Sequence, residues 1–205
     1  MSITLYYAPM SSASPVLWAL AELGLEHDAI AVDLKAGEQK QPALMAHNPM
    51  GQVPTLVDDG QGMFESTAIF IHLGLRYGVE RGVWPAPDAP EHMVALSWLS
   101  WFAIALGGSL RTVMLNSGDW IPAEHQSEAQ AAKGREQLAS LMAILDAHLA
   151  ERAYLTGDDF CLVDAYGTAI IGWGTHVAGY DMSQVPNVTA WHGRCMARDA
   201  VKAMK

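Results

Sequence analysis

The stretch Asn48–Leu73, NPMGQVPTLVDDGQGMFESTAIFIHL, constrains this chain more than any other. Pro54 has no N–H for a ladder, so it cannot sit inside an ordinary central strand. Thr55-Leu56-Val57 is a short apolar run. Asp58-Asp59-Gly60 reads as a tight turn, and Met63-Phe64 return as a second strand. Glu65 and Ser66 follow, and Thr67–Tyr77 then places Ile69, Phe70, Leu73 and Tyr77 at helical spacing. Ser66 stands where an N-cap belongs. A cis Val53-Pro54 bond is expected, because a cis X-Pro is a deliberate bend. Such a bend turns the Val53 amide and carbonyl outward, where they can pair with an extended peptide. The helix start at Ser66 offers backbone N–H groups and a positive dipole end to a carboxylate. Together these describe a site for a small peptide anchored by a carboxylate. A hairpin and capped helix without a ligand is the alternative, but it leaves Glu65 with no evident core role.

The same residues carry a family resemblance. Pro49, Gly51, Gln52-Val53-Pro54, Asp58-Asp59-Gly60, Glu65-Ser66 and Ala68-Ile69 stand at the spacing of the glutathione-binding half of the soluble glutathione transferases. The chain resembles that family, and its bacterial Beta- and Theta-like classes in particular. A second marker is Tyr154–Tyr166, YLTGDDFCLVDAY, similar to the family's Gly-Asp-x-Phe-Ser/Thr-x-Ala-Asp capping box. Gly157, Asp158, Phe160 and Asp164 are kept, while Cys161 replaces the capping hydroxyl and Val163 replaces Ala. A thiol is a weak acceptor, so the cap should be poorer by about 1 kcal/mol. Asp164 can still bond the Cys161 N–H. Near the end, Arg198-Asp199-Ala200-Val201 is similar to a common Arg-Pro-x-Val ending, with Asp199 for Pro.

The elements fit that fold class. Ile3–Tyr7 reads as a strand. Ser14-Pro15 opens a helix with Val16, Leu17, Leu20 and Leu23 on its apolar face, closed by Gly24. Ala29–Val32 is a second, parallel strand, and Lys35–His47 is irregular with a short helix. With the hairpin and third helix this makes an α/β, thioredoxin-like N-terminal domain (βαβαββα) over residues 1–78. Residues 79–90, with Gly82, Pro85, Pro87 and Pro90, read as a linker. An all-α, all-helical C-terminal domain is expected over 91–205. Its first helix, Glu91–Asn116, is apolar on nearly every side, with Val94, Trp98, Trp101 and Ala105 on one face. Gly107-Gly108 should weaken or kink it. Glu124–Leu149 should turn Leu138, Leu141, Met142, Leu145 and Leu149 inward. Asp164–Ala178 should be the most buried helix, with Ala165, Ala169, Ile170 and Trp173, and Val188–Met196 should begin the last.

Composition excludes some partners. The net charge of −10 argues against nucleic acid and anionic membrane, which need Lys and Arg clusters. The most apolar run, Met93–Leu106, is too short to span a bilayer. The N-terminus runs straight into a strand, which reads as no signal peptide. Two cysteines, Cys161 and Cys195, suggest a reducing compartment, and a cytoplasmic location is expected. The eight histidines never fall three or four apart, so no helical metal pair exists and no metal is expected.

The resemblance implies glutathione as co-substrate and a detoxification-type transfer to an electrophile. That reaction needs a thiolate at neutral pH, whereas a free thiol has a pKa of about 8.5. A hydroxyl just after the first strand supplies the stabilising hydrogen bond. The loop here is Tyr7-Ala8-Pro9-Met10-Ser11-Ser12-Ala13-Ser14-Pro15. Ser12 matches the Beta-like position and Ser11 the Theta- and Delta-like one. Tyr7, the counterpart of the Alpha, Mu and Pi tyrosine, is the runner-up. Ser12 or Ser14 could instead merely cap the helix, and for Ser14 capping is preferred. With no cysteine in the loop, thiol–disulfide exchange is not the expected main activity. Gln52, Val53, Pro54, Glu65 and Ser66 are expected to bind glutathione. Met10, Trp101, Leu106, Arg111 and Met114 are candidate liners of the site for an apolar or aromatic electrophile, although Trp98 and Trp101 serve equally as core. Ala105-Leu106-Gly107 lacks the histidine of Beta-like relatives. Excess apolar helix surface and the family's habit point to a homodimer. Two alternatives stand beside the transferase. One is a Zeta-like isomerase, from Ser11-Ser12-Ala13-Ser14, although that class's Cys and Arg are missing. The other is a non-catalytic glutathione-fold binding protein.

Overall fold

Ile3 and Leu5 are the buried residues of the strand Ile3–Tyr7 (β1), and the rest of its sheet is built outward from them. The computed structural model describes residues 2–203, apart from the side chains of Val177 and Ala203. Met1 and residues 204–205, where the two expected domains begin and end, lie outside the described residues. β1 pairs in parallel with Asp28–Ala31 (β2) and antiparallel with Thr55–Asp58 (β3), which continues into Gln61–Phe64 (β4). The sheet order is β2-β1-β3-β4. Asp59 and Gly60 make the two-residue turn of the hairpin, at φ 47° and 82°. β2 begins one residue earlier than expected and is an exposed edge strand; Val32, just beyond it, is buried.

The helix Ser14–Glu22 (α1) carries Pro15 in its first turn and buries Val16, Trp18 and Leu20, with Leu17 only half-buried. It packs against Ser66–Leu73 (α3), whose Ile69, Phe70 and Leu73 are fully buried. A π-helical turn, Gly74–Gly78, extends α3 and buries Tyr77. The irregular segment between β2 and the hairpin holds a short helix, Pro42–Met45 (α2).

The next helix is Pro90–Trp101 (α4), a π-helical turn Phe102–Leu106, and Gly107–Asn116 (α5) without a break. The expected disturbance near Gly107-Gly108 takes the form of that widened turn just before them. Because the helix continues to Asn116, its 27 residues are long and apolar enough to cross a membrane by length and composition. The apolar run ending at Leu106 therefore does not bound it. Phe102, Leu106, Leu110 and Val113 are buried instead against protein. Not every side is covered: Met93 and Ile104 are 67% and 76% exposed. Trp98 and Trp101 are half-buried, with Trp98 against His148 at 4.5 Å between ring centroids.

Glu128–Leu149 (α6) starts later than expected, because Ser127 caps it, accepting from the Gln130 N–H at 3.4 Å. Leu138, Met142, Leu145 and Leu149 are buried; Leu141 is half-buried. Leu162–Ala178 (α7) is buried along its first half, but Ala169, Ile170 and Trp173 are half-exposed and Ile171 is inward. Gly167 allows the close crossing here, since a Cβ would stand 2.4 Å from Phe102 Cζ. Asp164 closes the start of α7: its Oδ2 accepts the Cys161 N–H at 2.8 Å and its Oδ1 the Leu155 N–H at 2.9 Å. The Trp191 indole also donates to Oδ1, at 2.8 Å. Burial pushes the Cys161 thiol up to about 12, so it stays protonated.

Pro186–Met196 (α8) is not the last helix; Asp199–Ala203 (α9) follows and packs on α1. Arg198 grips Glu22 with two bonds of 2.7 and 2.8 Å, and the Trp18 indole donates to the same carboxylate at 2.9 Å. The chain thus divides into two compact units, Met1–His92 with Arg198–Lys205, and Met93–Ala197.

Candidate functional site

Strand register gathers three loops at one end of the sheet. Tyr6 lies opposite Thr55, and Thr55 opposite Phe64. The segments that leave β1, enter β3 and leave β4 therefore meet there. They carry Met10, Ser11 and Ser12; Gln52, Val53 and Pro54; and Glu65 and Ser66. The Val53–Pro54 bond is cis. Two non-glycine residues on these loops take the left-handed side of the backbone map, Met10 at φ 56° and Glu65 at φ 67°. Such conformations gather at functional sites because surrounding structure must hold them.

Glu65 rather than Ser66 is the N-cap of α3, at φ 67° and ψ 117°, and it makes no side-chain cap bond. Ser66 is the first helical residue. This corrects the expected cap: the turn from β4 into α3 is made at Glu65 by backbone conformation, one residue earlier than a capping hydroxyl would make it. The Glu65 side chain is exposed and Ser66 is half-buried.

The serines after β1 differ. Ser11 Oγ donates to the Ala8 carbonyl at 2.6 Å and accepts from the Ala13 N–H at 3.2 Å. It closes its own loop. Ser12 Oγ reaches across to the other loop and donates to the Val53 carbonyl at 3.2 Å. No side chain caps α1, whose N-cap is Ala13, so neither Ser12 nor Ser14 has that role. Tyr7 is half-buried on β1.

The Val-Pro loop is held by residues that sequence reading did not single out. Asn48 is buried, and its amide bonds Gln52 O, Thr55 Oγ1 and the Met50 N–H, each at 3.0 Å. Gly51 (φ 55°) has no room for a side chain: a Cβ would stand 2.7 Å from Met45 Sδ and 2.9 Å from the Gln39 carbonyl. Lys40 lies alongside, its Nζ donating to the Met50 carbonyl at 2.7 Å. Only the pairing of Asn48 with Thr55, seven positions on, could have been suspected from sequence.

Of the candidate electrophile-site residues, Met10 belongs to the first unit and is 73% exposed. The other four belong to the second unit. Trp101 is half-buried, edge-on to Trp98 and Phe102 at 5.0 and 5.1 Å. Leu106 is fully enclosed and lines a small apolar cavity with Leu110, Leu138, Met142, Ile171, Thr175 and Tyr180. Arg111 is exposed and Met114 half-buried. Among the described residues no group of three or more His, Cys, Asp or Glu is placed to hold a metal ion.

Residues 1–74 match the family model described as glutathione S-transferase, N-terminal domain, and residues 112–199 the C-terminal domain model. Glutathione S-transferase 3 of Zea mays is 33% identical over 173 residues, covering 80% of this chain and 74% of the maize protein. Glutathione S-transferase 1 of Schizosaccharomyces pombe is 29% identical over 209 residues, covering 92% and 88%. A solved sphingomonad glutathione S-transferase complexed with glutathione superposes with a TM-score of 0.83 at 28% identity, covering 98% of this chain and 96% of that one.

Proposed function

The chain belongs to the soluble glutathione S-transferase family, and from that premise we propose that it ionises the thiol of glutathione and directs the thiolate at an apolar or aromatic electrophile. The enzyme is a glutathione transferase. The observation that carries the finer reading is Ser12 Oγ at 3.2 Å from the Val53 carbonyl. Val53 is the residue whose backbone pairs with the cysteinyl unit of an extended peptide. A hydroxyl against that backbone lies where the cysteinyl sulfur arrives. Ser11 spends its proton on Ala8 and its lone pair on Ala13. Ser12 makes one longer bond, 3.2 Å to the Val53 carbonyl, which the arriving cysteinyl unit can replace, so Ser12 is the proposed donor to the sulfur, ahead of Ser11 and Tyr7.

Binding follows from charge. The γ-glutamyl ammonium meets Glu65, and its carboxylate meets Ser66 and the first N–H groups of α3. Gln52, and the Lys40 ammonium held against its loop by the Met50 carbonyl, are proposed for the glycyl carboxylate. Ser12 then favours the charged sulfur, the thiol proton leaves to solvent, and the thiolate electron pair forms the bond to the electrophilic carbon while the carbon's leaving group, chloride in a chlorodinitrobenzene, departs with the electron pair of the broken bond. Met10, Trp101, Arg111 and Met114 remain proposed electrophile contacts; Leu106 is enclosed in the core of the second unit and is not one. A homodimer is proposed through the uncovered face of the long helix, and a reducing, cytoplasmic setting from the two buried free thiols.

Ultraviolet difference titration of bound glutathione tests the donor. Ser12→Ala should raise the bound thiol pKa by about one to two units, the worth of a hydrogen bond to a charged group. It should lower kcat for a chlorodinitrobenzene-type electrophile with little loss of glutathione affinity. Ser11→Ala and Tyr7→Phe should behave nearly as wild type. A shift in either of those instead refutes the role given to Ser12. No shift in any of the three, with glutathione still bound, refutes thiol activation by these hydroxyls. No retention on a glutathione column sinks the whole reading.

A further inference from the structure

We infer that Asn48 is a positioning residue that aims the Val53 N–H at the bound peptide, an assignment that rests on the glutathione reading above. The restraint starts at the Gln52 carbonyl. It accepts from Asn48 Nδ2 at 3.0 Å and from Thr55 Oγ1 at 2.8 Å, which uses both of its lone pairs. Asn48 and Thr55 are 2% and 0% exposed, so in the intact protein solvent does not compete for either side chain. Asn48 is itself fixed. Its Oδ1 accepts from the Met50 N–H at 3.0 Å, and its second amide hydrogen goes to Thr55 Oγ1 at 3.0 Å. The amide cannot be turned over, because Met50 N–H only donates and Gln52 O only accepts. The result is a closed ring of bonds around one carbonyl.

Peptide planarity carries that restraint outward. In a trans peptide the C=O and the following N–H point in opposite directions. Among the described residues the cis bond is the one after Val53, so the Gln52–Val53 peptide is trans. With Gln52 O locked toward the buried side chains of Asn48 and Thr55, the Val53 N–H points the other way. The Val53 carbonyl is already marked on the binding side by Ser12 Oγ. Both hydrogen-bonding groups of Val53 are thereby presented to the cysteinyl unit before any ligand arrives. Preorganisation of this kind removes an ordering cost that binding would otherwise carry. Asn48→Ala leaves Gln52 O with one partner and the Met50 N–H with none, so the peptide plane can rotate.

The test compares two ligands by titration calorimetry. One is glutathione. The other is an analogue whose cysteinyl carbonyl is a methylene and so cannot accept from the Val53 N–H. Wild type should prefer glutathione by about tenfold, the worth of one well-made hydrogen bond. Asn48→Ala should bind glutathione about tenfold more weakly, bind the analogue as wild type does, and show no preference. A merely structural role would lower the melting temperature and the bindable fraction while leaving the preference intact, and an intact preference overturns the inference. Should Asn48→Ala not fold, Thr55→Val carries the test, since it removes one donor to Gln52 O and keeps Asn48. Its preference should drop to about threefold, and an unchanged tenfold ratio overturns the inference. A wild type that binds both ligands equally also overturns it. A wild type that binds neither overturns the glutathione reading instead.

Discussion

Replacing Asp164 by asparagine is expected to destabilise the second unit by about 3 kcal/mol although the shape hardly changes. Asp164 is fully buried. Its Oδ1 accepts the Leu155 N–H and the Trp191 indole, and its Oδ2 accepts the Cys161 N–H. An asparagine keeps the first two bonds by turning its oxygen to them. Its NH2 then faces the Cys161 N–H at what was a 2.8 Å bond, donor against donor. One charge-assisted bond, about 1.5–3 kcal/mol, is lost, and a buried N–H is orphaned, about 1–3 kcal/mol; the two overlap and do not add in full. Asp164→Ala orphans all three donors and should cost about 5 kcal/mol. Trp191→Phe removes one donor and leaves Oδ1 on Leu155, for about 1–2 kcal/mol. Urea unfolding followed by tryptophan fluorescence is suitable, since Trp98, Trp101, Trp120, Trp173 and Trp191 all lie in this unit. For a chain of this size the asparagine variant should melt roughly 6–12 °C lower. An Asp164→Asn protein within about 1 kcal/mol of wild type would refute the reasoning, because it would mean that the Cys161 N–H finds another acceptor.

Two further outcomes are expected. Burial holds His148 and His192 below the ordinary histidine range. The unfolded chain then takes up protons first on acidification, so their contribution is full above about pH 6.5 and is lost as pH falls through the folded values. The urea midpoint should fall from pH 7.5 to 5.5, and His148→Gln with His192→Gln should flatten that fall; an unchanged slope counts against it. Met93 and Ile104 leave an uncovered apolar stripe on the long helix. Wild type should sediment as a dimer of 22.1 kDa chains and Ile104→Glu as a monomer; a monomeric wild type at micromolar concentration removes the dimer.

What sequence can disclose depends on the range of the interaction. The hairpin, the cis bond and the buried face Ile69-Phe70-Leu73-Tyr77 are local, and their turn residues and spacing announce them. Glu65 is equally local but carries no signal, because a positive φ at a glutamate is imposed by its neighbours. Trp98 and Trp101 look like an outward face because the ring that covers Trp98, His148, comes from another helix. Ile170 and Trp173 have the chemistry of core residues, but the helix turns Ile171 inward in their place. The start of α6 moved to Glu128 because Ser127 caps better than the acidic residue at 124. At the candidate site the residue types could be read directly, but the contrast between Ser11 and Ser12 could not, since it depends on which carbonyl each hydroxyl meets.

The grip of Arg198 on Glu22 has a consequence for how the chain is made. The two residues are 176 positions apart, and the Glu22 side chain is only 6% exposed in the finished fold. At about 5–20 residues per second, roughly 9–35 s of synthesis separate them. Throughout that interval the first unit can form its sheet and the loops at its end, and its α1 carboxylate can meet the Trp18 indole of the same helix. Until then the cover that Arg198 and α9 place over α1 is missing, so the carboxylate keeps its water and the pair closes only once position 198 has cleared the ribosome. The last contact of the unit that is translated first is therefore synthesised after the whole of the helical unit.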